Sequence, residues 1–171
     1  MRLLLHTLVT LVAAAILGGV SMYYVEQQRG LVRRDLARHE VQRFQRQIHL
    51  QAALAADLPP DKSGPATIDP AWFEGDIPEN PLVGTEHPWV EIAGADHKTR
   101  VHPPDLTVSD ADVACFWYNP YTGIVRARVP IGISDAHALD LYNDVNECDL
   151  PTLFPEEPAE QETSAPRSIR R

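Results

Sequence analysis

The first 57 residues contain no proline, and between Leu3 and Val25 the chain reads LLLHTLVTLVAAAILGGVSMYYV, with no Asp, Glu, Lys or Arg. A helix of about 20 apolar residues spans the hydrocarbon core of a bilayer. The polar members of this stretch are His6, Thr7, Thr10 and Ser21. Their hydroxyls can bond back to the helix's own carbonyls. Tyr23 and Tyr24 stand at the far end, where amphipathic rings favour the headgroup boundary. Residues 1–25 are therefore expected to form an anchoring, single-pass helix. The competing reading is a cleaved signal peptide, with Arg2 as its charged start and Gly19-Val20-Ser21 as its small-x-small site. The continuation favours the anchor, because helical periodicity runs on without a break signal.

From Glu26 to Asp57 the only glycine is Gly30. Ala37, Val41, Phe44, Ile48, Ala52 and Ala55 recur at spacings of three and four, which is one face of a helix. Arg38, Glu40, Arg43, Gln45 and Arg46 fill the remaining positions. Residues 26–58 are thus expected to carry the helix on as an amphipathic segment, ended by Pro59 and Pro60. The fifteen prolines are concentrated after Leu58. That argues against a helical bundle and for a small β-rich domain over 59–154.

Within that domain, Trp72 and Phe73 are expected to anchor a loop, and Pro78 and Pro81 prevent a regular strand beside them. Segments 87–95 and 98–101 suit short strands. The clearest sheet signal is a hairpin, with VACFW (113–117) and GIVRARV (123–129) around the turn-rich 118–123. Segment 136–146 suits a short helix or an acidic loop. Residues 155–171 have nothing to bury and are expected to be disordered.

The net charge of −9 argues against nucleic acid, whose phosphates need a basic face. Arg29, Arg33, Arg34, Arg38, Arg43 and Arg46 do form a basic stretch, but it follows the apolar segment, where membrane headgroups are the fitting partner. Histidines 6, 39, 49, 87, 97, 102 and 137 are scattered, and no G-x-S-x-G or phosphate-binding glycine loop is present. No catalytic residue is nominated, and the chain is expected not to be an enzyme. Cys115 and Cys148 are the only cysteines; they are open to a disulfide or to two free thiols. Asp140, Asp144 and Glu147, in an acidic run with Asp135 and Asp149, are candidate calcium ligands; a solvated acidic helix face is the alternative.

A long helix, apolar and then amphipathic, followed by a small antiparallel sheet resembles type IV pilins and the pseudopilins of type II secretion. Ile77-Pro78-Glu79-Asn80-Pro81-Leu82 resembles their P-x-N-P-L segment. Phe116-Trp117-Tyr118-Asn119-Pro120-Tyr121-Thr122-Gly123-Ile124-Val125-Arg126-Ala127 resembles their W-x-Y-x-x-x-T-G-x-I-x-A hairpin. The resemblance implies a pilin-like α+β fold and a structural subunit acting by helix packing and lateral assembly. It implies pilin-like or secretion-machinery partners, and a bacterial inner membrane with the globular domain in the periplasm. That orientation overrides the positive-inside rule, which would place the arginines in the cytoplasm. It also strengthens the calcium expectation, since major pseudopilins hold calcium near the C-terminus, and the disulfide expectation, since some pilins staple that region. Met1-Arg2-Leu3-Leu4-Leu5-His6-Thr7 departs from the family, with neither the leader glycine nor the glutamate read by the prepilin peptidase. A membrane-held accessory subunit is the expectation that follows. The reading from a different class is an exported or tethered binding domain with no filament role.

Overall fold

The structure, a computed structural model, describes residues 2–55 and 58–154, excluding the side chains at 2–10, 12 and 13. The tail expected to be disordered, 155–171, lies outside the described residues.

One helix, α1 (Arg2–Leu54), runs through 53 residues. At 1.5 Å per residue it is about 80 Å long. Its end comes earlier than the expected position 58. The last helical bond runs from the Ala55 N–H to the Gln51 carbonyl at 3.0 Å. In a longer helix the ring of Pro59 would collide with the carbonyl four residues before it. The expected stripe is buried at Ala37, Val41, Phe44 and Ile48, half-buried at Ala52 and exposed at Ala55.

The stripe packs on a three-stranded sheet of β1 (Val90–Ile92), β3 (Phe116–Asn119) and β4 (Ile124–Ala127), in the order β1-β3-β4. A separate ladder joins β2 (Thr107–Val108) to β5 (Val129–Pro130). The expected hairpin forms, with Trp117 opposite Arg126 and Tyr118 opposite Val125. Gly123 closes its turn at φ +71°, a left-handed conformation that suits glycine. The all-antiparallel expectation is corrected. β1 runs parallel to β3, and β2 parallel to β5, so the sheet is mixed. Parallel pairing needs a long crossover, and residues 93–115 supply one between β1 and β3. Segment 98–101, expected as a strand, is turn and bend within that crossover.

Segment 136–146 is helical: α2 spans Asp135–Asn146. The Ser134 hydroxyl caps it by accepting from the His137 N–H at 3.3 Å, and Glu147 ends it at φ +50°. The aromatic centre of the core is Phe44. Its ring stacks on Trp89 at 5.2 Å and meets Phe73 and Phe116 edge-on at 5.4 and 5.5 Å. Phe73 is buried and Trp72 half-buried, as expected of loop anchors.

β4 has no strand on its outer side, and two carboxamides take the place of one. Gln45 of α1 accepts from the Val125 N–H at 2.8 Å and donates to the Gly123 carbonyl at 2.5 Å. Asn146 of α2 accepts from the Ala127 N–H at 2.8 Å and donates to the Ala127 carbonyl at 2.9 Å. An open strand edge is a template for unwanted pairing; here both helices close it. Asn146→Leu would leave the N–H and C=O of Ala127 buried without partners. The expected loss is about 2–4 kcal/mol, read from the urea midpoint of the full-length chain in detergent micelles.

Candidate functional site

The long helix divides near Leu36. Beyond it, one face packs on the domain; before it, every described side chain from Ala14 to Arg33 is exposed. Large apolar side chains stand exposed along this part of the helix. Ile16, Leu17, Val20, Met22 and Tyr23 are 49–73% exposed, and Leu31, Val32 and Leu36 continue the surface at 47–63%. Exposed apolar side chains in this number suit a helix that meets lipid or another protein. Among the described residues no helix is long and apolar enough to cross a membrane. The expected anchor begins at Leu3 and lies partly outside the described side chains.

The packed half of α1 is fastened to the domain by charge. Arg38 pairs with the Asp144 carboxylate and donates to its backbone carbonyl at 3.1 Å. Arg43 bridges Glu40, at 2.7 Å, and Asp76. Burial acts to lower the Arg43 pKa, but the hydrogen bonds and charges of these two carboxylates outweigh it and raise the pKa above the usual arginine value.

These contacts bear on the calcium candidates. Asp144 faces Arg38, and Glu147 accepts from Gln42 at 2.9 Å. Asp140 is exposed on α2. Two of the three carboxylates thus face groups from α1. Among the described residues, no three His, Cys, Asp or Glu side chains are gathered as a metal site.

Cys115 and Cys148 stand as separate thiols in the structure. Cys115 donates to the Gly84 carbonyl at 3.5 Å and Cys148 to the Asn143 side-chain oxygen at 3.3 Å. Burial pushes both thiols up, which keeps them protonated and poor nucleophiles. Cys115 borders a cavity of about 290 Å³, lined also by Pro78, Pro81, His87 and Trp89. The walls are mostly apolar, and Glu79 and His87 are the ionisable side chains that line it beside the thiol.

The sequence did not single out the buried polar residues that hold the loops on the sheet. Asn80, the asparagine of the P-x-N-P-L segment, donates to the Arg128 and Cys115 carbonyls at 2.7 and 3.3 Å and accepts from the Leu82 N–H at 3.1 Å. Asn119, in the hairpin motif, donates to the His97 and Arg100 carbonyls at 2.9 and 2.8 Å. The motif positions were the available signal, and loop fastening is the physical role they carry.

His102 shares a 3.1 Å hydrogen bond with the Tyr142 hydroxyl. Burial, then the nearby Arg126 charge, lowers its pKa to about 4, against about 6.5 when unfolded. The folded state therefore holds a neutral imidazole where the unfolded chain takes up a proton. Stability from this residue is full above pH 6.5 and is lost as pH falls from 6.5 towards 4. The expected loss is on the order of 1–2 kcal/mol, discounted for partial solvent access. A melting-temperature profile should flatten across that window in His102→Gln.

Compared with protein-family models, curated proteins and solved structures, the chain gives no match.

Proposed function

We propose that this chain is a membrane-held, pilin-like structural subunit that acts by packing its long helix against neighbours, as in a pseudopilus of the type II secretion kind or a related assembly. The observation that carries the reading is the set of exposed large apolar side chains on α1 between Ile16 and Leu36, which no part of the domain covers. An anchor accounts for its N-terminal part, where Tyr23 and Tyr24 mark the boundary. Helix packing accounts for Leu31, Val32 and Leu36, which lie beyond those tyrosines. The two sequence motifs lend support, because both hold loops to the sheet in a domain built on the helix. The domain sits on the periplasmic side of a bacterial inner membrane in this reading, and no reaction is assigned to it.

The test is the fate of the N-terminus. A C-terminally tagged chain is expected to stay in the membrane after alkaline extraction, with an intact mass that includes residues 3–21. Cleavage after Ser21 with release of the domain would sink the reading and favour an exported binding domain.

A further inference from the structure

The six arginines that follow the apolar segment are not equivalent. Arg38 and Arg43 are engaged by carboxylates of the domain, and Arg46 donates to the Gln42 carbonyl. Among the described residues Arg29 pairs only with Glu26, one turn back, and both side chains are more than 60% exposed. Such a solvent-facing pair holds an arginine weakly. Arg33 and Arg34 have no carboxylate partner among the described residues, and of these two only Arg33 lines the groove that Arg29 borders. Arg29 and Arg33 share one shallow groove on α1 with Tyr24, Val25, Gln28 and Val32. Four residues separate the two arginines, so their guanidinium groups lie one above the other on a single face.

We infer that this groove binds an anionic phospholipid, with its phosphate on Arg29 and Arg33 and its acyl chains running past Val25 towards the apolar half of the helix. The inference rests on the membrane reading above and names the lipid class. Geometry supports it. Arg29 is five residues past Tyr24, about 8 Å along the axis, close to the depth of one headgroup layer. Side chains on a helix tilt towards its N-terminus, so both arginines lean back to the bilayer. Charge supports it as well, since two guanidinium groups, one unpaired among the described residues and one in a solvent-facing pair, line the groove beside the apolar half of the helix.

The experiment reconstitutes the full chain into vesicles of phosphatidylcholine mixed equally with phosphatidylglycerol. The protein is extracted in mild detergent, and the retained lipid is counted by native mass spectrometry. Phosphatidylglycerol should be retained over phosphatidylcholine. The preference should fall roughly fivefold for each of Arg29→Gln and Arg33→Gln, and hold in Arg46→Gln. Wild-type protein that inserts but retains both lipids equally would overturn the inference and leave the anchor standing. So would a preference that survives the double variant. Protein that fails to insert would overturn the anchor reading too.

Discussion

Phe44→Ala is expected to cost about 3–5 kcal/mol of folding stability. The ring is fully buried at the contact between helix and domain, with Trp89 on one face and Phe73 and Phe116 at its edges. Those partners sit on a 3-10 turn (Pro70–Phe73), on β3 and just before β1. Three separate segments cannot all collapse into one hole, so most of the cavity would remain. Denaturant titration of the full-length chain in micelles measures the loss. Leu31→Ala is the informative contrast. Leu31 is 53% exposed, and its truncation should leave stability within about 0.5 kcal/mol. If Leu31 acts in assembly, its replacement removes partners and leaves the fold untouched.

Arg128→Met should cost about 3–5 kcal/mol. Only 2% of Arg128 is exposed. Its guanidinium donates to the Asp105 and Ala114 carbonyls at 2.9 and 3.0 Å and to the Glu91 carboxylate at 2.5 Å. Methionine fills much of the same volume but satisfies none of these acceptors. The buried carbonyls then carry most of the penalty, because Glu91 is 43% exposed and can return to water. Glu91→Gln keeps an acceptor in place but removes the counter-charge of a buried guanidinium, and should cost about 1–3 kcal/mol. Equal losses in the two variants would mean that the ion pair, and not the carbonyl clamp, holds the crossover.

What could be read ahead of the structure followed the reach of each interaction. The stripe through Ala37, Val41, Phe44 and Ile48 repeats within a few turns, so its period alone located the buried face. The hairpin around Gly123 was legible for the same reason. The parallel pairing of β1 with β3 was not, because it joins positions more than twenty residues apart and no local pattern records it. Arg126 and Arg128 are the polar positions of the alternating GIVRARV run. The crossover covers that face, and Arg128 becomes its fastener. Gln45 read as polar filler between Arg43 and Arg46, and Asn146 falls between the acidic residues Asp144 and Glu147. Their roles exist only once α1 and α2 lie along the edge of β4. The calcium candidates show the same dependence, since Arg38 is 106 positions away from Asp144 in sequence.

The exposed face of α1 was partly legible. The apolar run up to Val25 declared itself, but Leu31, Val32 and Leu36 lie outside both that run and the stripe that starts at Ala37. Only the placement of the domain beyond Leu36 leaves them uncovered.

Lateral assembly through this face is the central claim. Its most direct test is a photo-crosslinking amino acid at position 31 of the full-length chain in its native membrane. The account predicts a protein adduct whose partner is a second copy or another membrane helix, and whose yield falls when Val32 or Leu36 is replaced by aspartate. A folded, membrane-integrated chain that yields no protein adduct from position 31 would contradict it, and the domain would then be one displayed singly on its anchor.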